Sequence, residues 1–311
     1  MATIRMMIGV PGSGKSTYAK NVLLPTLRLN EESIVSSDAI RKKYFGDEND
    51  QAHNQEVFKI LYQKVRMLYD EGKDVIIDAT NMSYKDRCRA RNNLGRNYPI
   101  DVAYVMATPA LLCATRDEER ERTVGLNVIT NMIKKFEYPY PGEFKEVNVV
   151  HTYDIKLGHA NPDRVKKIMN EFDQKNYHHI HTVGHHCDRV AGQFDVSDIR
   201  HIAGIWHDVG KCFTQSFDED GVAHYFQHAN VGAYYLLSEH FFKFVQPTNE
   251  EILFYVNQHM HIRDIIKSEK AIAKYKRLWG EDRFDKLVEF MNADNIGSGT
   301  GHRKNEKNGD D

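Results

Sequence analysis

The sequence predicts two architectures in one chain: an α/β first half, with a parallel sheet between flanking helices, followed by an all-α second half. Three observations carry this. A glycine-rich stretch, "GVPGSGKS" (9–16), sits between a short apolar run and a helical pattern. Further apolar runs in the first half are short and continuous, as in parallel strands buried on both faces. Histidine use then changes abruptly: of sixteen, only His53 precedes residue 150, and the other fifteen fall between His151 and His302. At 311 residues the chain accommodates two domains of about 150 residues. The composition places them at 1–152 and 160–302, with a polar tail over 303–311.

Bulk charge narrows the function classes. With 42 basic and 44 acidic residues, no chain-wide field draws the protein to nucleic acid or anionic membrane, so any polyanion site is local. Residues 1–150 hold 22 basic and 20 acidic side chains against 20 and 24 in the rest, which makes the first half the better polyanion binder. Cys88, Cys113, Cys187 and Cys212 show no C-x-x-C spacing. Neither a disulfide framework nor a zinc knuckle is indicated, and a cytoplasmic location is expected. The apolar start "IRMMIGV" is too short to span a bilayer and leads into the glycine loop, so it reads as a first strand with no membrane role.

The glycine stretch satisfies G-x-x-x-x-G-K-[ST] between a strand and the helical pattern "TYAKNVLLPTL". Gly12 and Gly14 let the backbone N–H groups of the loop, with Ser13 and Thr17 in its span, turn toward phosphate oxygens at a helix N-terminus. Lys15 pairs with the β and γ phosphates and Ser16 with magnesium, so ATP and Mg2+ are expected. A second strand runs from Ile34-Val35 into Ser36-Ser37-Asp38, and a strand end of this kind is where open α/β sheets bind ligands. Asp38 suits a general base for an attacking hydroxyl, and Arg41, three residues on, suits a phosphate beside it; the alternative is that Asp38 caps a helix. A third strand, "KDVIIDATN" (73–81), ends in Asp78, a candidate for organising magnesium. Lys85, Arg87, Arg89, Arg91 and Arg96 are spaced around a helix and read mostly as a solvated face. After a fourth strand (100–108), Arg116 and Arg120 are four apart and can project from one helix face as a lid over phosphates, unless they form ordinary helix ion pairs.

The ordered set of phosphate loop, "SSDAIR", "VIIDATN" and an arginine-rich lid followed by "FEYPYPGEF" resembles the P-loop polynucleotide 5′-kinase family of end-healing enzymes. The resemblance spans almost all of residues 1–148. It implies that Asp38 is the base activating a 5′-OH, that Arg41 contacts the adjoining 3′ phosphate, and that Arg116 and Arg120 contact nucleotide phosphates. Gly125 departs from it, where proline is frequent.

The second half sets histidines and aspartates in helical apolar patterns: "YHHIHTVGHHCDRVAG", "HIAGIWHDVGK", "HYFQHANVGAYYL", "ILFYVNQHMHI" and "LVEFMNADNIG". Separate helices can converge these on one interior site. The adjacent His207-Asp208 joins an imidazole to a carboxylate able to bridge two cations. Mixed N/O ligation suits Mn2+, Fe2+, Ni2+, Co2+ or Zn2+ better than calcium, and two such ions suit phosphoester hydrolysis. The pattern resembles the HD phosphohydrolase superfamily over roughly 165–300. That resemblance implies metal ligands at His186 (or His185), His207, Asp208 and Asp294, with His228 and His259 (or His224 and His261) completing a two-metal set. Lys211, one turn past the doublet, can reach a substrate phosphate. His240 and His302 read as exposed polar residues.

Taken together, the halves resemble bacterial proteins that fuse a polynucleotide kinase to an HD phosphoesterase, although in those the HD module leads. The expected activity is healing of nucleic-acid ends, RNA before DNA, through 5′ phosphorylation and removal of 2′,3′-cyclic or terminal phosphate, with an RNA ligase acting downstream. Two other readings stay open. One is a nucleoside or small-molecule kinase fused to a nucleotidase; the other is an ATP-gated nucleic-acid-binding switch. The oligomeric state, the choice of metal and the choice of phosphate ester are not legible.

Overall fold

In a computed structural model, the described residues are 2–48, 50–120, 123–154, 160–176, 180–241 and 248–299. The tail 303–311, His302 and residues 155–159 between the two expected domains lie outside them. The chain forms two compact units, the first comprising Met1–Lys135 and Gly142–Gly158, the second Phe136–Pro141 and His159–Asp311.

The first unit contains β1 (Ile4–Ile8), α1 (Lys15–Tyr18), a π-helical turn (Ala19–Leu23), α2 (Leu24–Leu27), β2 (Ile34–Ser36), α3 (Ser37–Phe45), α4 (Asn54–Asp70), β3 (Val75–Asp78), α5 (Tyr84–Leu94), β4 (Ile100–Met106), α6 (Ala110–Glu118), α7 (Leu126–Ile133) and β5 (Glu146–Val150). Its sheet has the order β2-β3-β1-β4-β5, parallel throughout. β1 is central because four of its five side chains are apolar and buried, and Met7 packs with Ala19, Leu23, Leu24, Ile76 and Met106 in one buried cluster. The chain leaves β1 toward β2 on one side and reaches β4 on the other. The strand order therefore diverges at the end of β1, the place where such sheets bind ligands. The single helix expected after the loop is interrupted by the π turn. Pro25 lacks the N–H that a regular helix would donate one turn back, and the wider turn accommodates the gap. The fifth strand was not among the four expected. β5 reads "EVNVV" on a sheet edge and is only half-buried, so it lacks the continuous apolar signature of β3.

The second unit is helical: α8 (Pro162–Glu171), α9 (Val183–Ala191), α10 (Ile199–Trp206), α11 (Lys211–Thr214), then β6 (Gln215–Phe217) and β7 (Ala223–Tyr225), followed by α12 (His228–Ser238), α13 (Thr248–Gln258), α14 (Ile262–Ile265), α15 (Glu269–Trp279) and α16 (Glu281–Gly297). Side-chain caps fix where its first helices start: Asn161 accepts from Asp163 and Arg164, Thr182 from His185, and Asp198 from Arg200. α9, α10, α13 and α16 pack on one another around Val190, Tyr255, Leu287 and Phe290, all buried. The unit is helical as expected, with one short hairpin added. β6 and β7 pair antiparallel around an Asp-Gly turn, where Asp218 accepts from Val222 and Gly221 takes a positive φ.

Phe136–Pro141, part of the first domain by sequence, packs into this second unit. Phe136 meets Tyr234 edge-on at 5.2 Å and Tyr140 meets Trp279 at 5.6 Å. Asn257 clamps the strap: its Oδ1 accepts from Tyr138 N at 2.9 Å, and its Nδ2 donates to Phe136 O and Asn230 Oδ1, both at 3.1 Å.

Candidate active sites

In the first unit the phosphate loop is shaped by φ and by close packing. Gly12 and Gly14 have φ of 76° and 89°, and a Cβ on Gly12 would come within 2.0 Å of the Cys113 carbonyl oxygen. The loop is braced from behind by Thr108, whose hydroxyl donates to Ser13 O at 3.0 Å, and by Thr152, which reaches the same oxygen at 3.1 Å. Lys15 Nζ donates to Val10 O at 2.9 Å, and burial lowers its pKa against the opposing pull of Asp78 and Asp38. Ser16 Oγ donates to Asp78 Oδ2 at 2.7 Å, which joins the two groups expected around magnesium. The Ser13 hydroxyl is buried with no hydrogen-bond partner among the described residues. These features fit a nucleotide phosphate with its cation.

Asp38 does not cap α3. Ser36 does, accepting from Ala39 N, and Asp38 stands in the first turn with its carboxylate 55% exposed. It accepts from Arg41 Nη1 at 2.8 Å, and Arg41 Nη2 donates to Asn54 Oδ1 at 2.6 Å. Arg116 donates to Thr152 Oγ1 and O, both at 2.7 Å, rather than pairing with helix acids. Arg120 does not share its helix face, because α6 ends at Glu118. It lies close enough for its charge to depress Lys15. Gly125 has a φ of 83°, which proline cannot adopt, so its departure from the family pattern is a local backbone matter.

In the second unit the structure brings His186, His207, Asp208, His228, His259 and Asp294 into one buried cluster. Asp208 stands between two groups. Its Oδ2 lies 3.4 Å from both His186 Nε2 and His207 Nε2, while its Oδ1 lies 3.0 Å from His228 Nε2 and 3.6 Å from His259 Nε2. Asp294 Oδ1 closes the first group at 3.0 Å from His186 and 3.6 Å from His207. The rival histidines fall elsewhere: His185 is exposed, His224 pairs with Asp218, and His261 Nδ1 meets Gln258.

Tautomers follow from the outer partners. Nδ1 of His207, His228 and His259 each lies 2.8 Å from a backbone carbonyl, of Gly204, Tyr225 and Val256 respectively. A carbonyl only accepts, so each Nδ1 carries a proton, and each ring turns its Nε2 inward. His228 and His259 then face each other, Nε2 to Nε2, at 3.1 Å beside Asp208 Oδ1. Burial takes the His259 pKa down to about 4, so that ring stays neutral. Burial alone would raise the Asp208 carboxyl, but Lys211 and His207 outweigh it and hold it well below the usual carboxylate range. Three converging acceptors repel unless a cation lies among them, so the donor set fits a metal.

Lys211, expected to reach a substrate phosphate, instead places its ammonium 2.8 Å from both Asp208 Oδ2 and Gln174 Oε1, and is buried. Sequence reasoning missed its partner Gln174 and also Arg263, whose Nη2 donates to Asp294 Oδ2 at 2.5 Å. It also misread Arg87 and Arg91. Arg87 is wholly buried and grips Glu143 through Nε and Nη2 at 2.8 and 3.0 Å, while Arg91 Nη1 adds a third bond at 2.9 Å.

Among known proteins, residues 4–139 match the AAA domain family, under half of the chain. A sugar kinase from Janibacter sp. HTCC2649 is similar in structure over 49% of this chain and 86% of its own, at 20% identity and a TM-score of 0.36. A gluconokinase from Sinorhizobium meliloti 1021 is similar over 49% and 83%, at 16% identity and a TM-score of 0.36. A chain of the Pnkp1/Rnl/Hen1 RNA repair complex is similar over 44% and 47%, at 22% identity and a TM-score of 0.35. The first unit is a P-loop kinase-like fold with a five-stranded parallel sheet, followed by a helical region, and such a loop implies ATP and Mg2+. No helix among the described residues is long and apolar enough to cross a membrane.

Proposed function

We propose that the chain heals nucleic-acid ends, RNA in preference to DNA. In this reading the first unit phosphorylates 5′-OH ends and the second, as an HD-type phosphohydrolase, removes 2′,3′-cyclic or terminal phosphate. The observation that carries it is Asp208, whose two oxygens serve two separate histidine groups in a chain that also holds a phosphate loop. In the kinase, Asp38 accepts the proton of the attacking hydroxyl, and the Arg41 guanidinium faces the phosphate on its 3′ side. That pair favours a polynucleotide acceptor, because a nucleoside has no such phosphate. Lys15, Arg116 and Arg120 offset charge on the transferred phosphoryl group, with Ser16 and Asp78 placed to hold magnesium.

In the second unit His186, His207 and Asp294 would hold one divalent ion and His228 and His259 another, with Asp208 between them. Such ions, of Mn2+, Ni2+, Co2+, Fe2+ or Zn2+ type, supply Lewis acidity and a strong nucleophile at neutral pH. Lys211 keeps Asp208 ionised, and Arg263 orients Asp294. The resulting 5′-phosphate and free 3′ end are what an RNA ligase joins. The test is an oligoribonucleotide with 5′-OH and 2′,3′-cyclic phosphate ends, incubated with ATP, Mg2+ and then Mn2+ or Ni2+. Conversion at both ends is expected. A change at the 5′ end alone would move the second unit to nucleotidase work, and no change at either end would return the chain to the small-molecule reading.

A further inference from the structure

The first unit holds an aromatic pair that neither the phosphate loop nor the Asp38–Arg41 pair requires. Asp38, Arg41 and Phe45 recur at spacings of three and four along α3 and so share one helix face. Arg41 reaches across to Asn54 at the start of α4. The residue before it, His53, lays its imidazole on the Phe45 ring, with centroids 4.5 Å apart and planes 13° from parallel. His53 Nδ1 lies 2.6 Å from Asp50 Oδ2, which fixes the rotation of the ring. The imidazole is 50% exposed although Phe45 covers one face, so its other face is open to solvent.

A flat ring held rigid on an apolar one, open on its far side and in line with a phosphate-binding guanidinium, is a platform on which a nucleobase stacks. We infer that the Phe45–His53 stack takes the base of the second nucleotide of the acceptor strand. This rests on the polynucleotide kinase reading above and deepens it. The register follows from the helix. Arg41 lies about 4.5 Å and Phe45 about 10 Å along α3 from Asp38. A 5′-OH at Asp38 puts its 3′ phosphate at Arg41, and the next nucleotide falls one further turn along, at Phe45. The acceptor is then a strand of at least two nucleotides, read without regard to base identity, since every base has a π face.

Kinase assays on the full-length protein test this with 5′-OH oligonucleotides that are either intact or abasic at the second position. The wild type should show a KM about tenfold higher for the abasic acceptor, with kcat and the KM for ATP unchanged. His53→Ala should raise the KM of the intact acceptor to the abasic level and leave the abasic KM alone, while His53→Tyr should restore discrimination. Equal KM values in the wild type, or a His53→Ala effect of the same size on both acceptors, would overturn the subsite and leave the polynucleotide reading standing. Failure to phosphorylate any oligonucleotide would overturn both.

Discussion

Asp208 and Asp38 are both carboxylates beside a basic side chain, yet their surroundings differ. Asp208 is sealed in, fixed as an anion by Lys211 and His207, and offers lone pairs to two sides at once. Asp38 is half-exposed and accepts from Arg41, and in the proposed kinase it is the group that takes a proton from an incoming hydroxyl. Asp38→Ala should therefore lower phosphoryl transfer by roughly a hundred- to ten-thousandfold while leaving phosphoester hydrolysis intact, as paired assays on one preparation would show. Arg263 acts at one remove. Its guanidinium turns Asp294 so that the other oxygen faces His186, and Arg263→Ala should weaken divalent-ion binding by about ten- to a hundredfold. Equilibrium dialysis with Mn2+ reads that directly, with the kinase rate as the unchanged control.

At the scale of elements, the ion network that closes the first unit offers a second kind of test. Burial would raise the Glu143 carboxyl, but Arg87 and Arg91 prevail and hold it below its ordinary value of 4.5. A depressed carboxyl stabilises the fold fully above that ordinary value and loses its contribution as pH falls through the folded pKa. Glu143→Ala leaves Arg87 buried without its partner and should cost about 3–5 kcal/mol, read from denaturant midpoints at neutral pH, with a smaller deficit in acid. This network shows where sequence reading stops. "YKDRCRARNNLGR" alternates basic residues over its first eight positions, and nothing local says that Glu143, more than fifty residues on, will pair with two of them. β5 escaped notice because an edge strand needs only half a hydrophobic face. The β6–β7 hairpin carried a legible Asp-Gly signal but was overshadowed by the helical patterns around it. The phosphate loop, β1 to β4 and the six clustered residues were legible, because each rests on short-range spacing or on an ordered motif. The choice of His186, His228 and His259 over their neighbours came from the family resemblance alone, since spacing does not say which ring faces inward.

Across the whole molecule, the proposed chemistries would call for different cations, and calorimetry separates them. Chelation should lower the unfolding temperature of the second unit and leave the first in place. Cation present at a hundred times its Kd should restore about 2.7 kcal/mol. A single transition that ignores chelator would remove the metal assignment.

The strap over Phe136–Pro141 bears on how such a chain can change over time. Because a stretch encoded inside the first unit completes the packing of the second, a gene cut near codon 155 would deliver a second fragment lacking part of its own interior. The halves are therefore not cassettes. Recombination that exchanged either one would have to carry two separated stretches of coding sequence together.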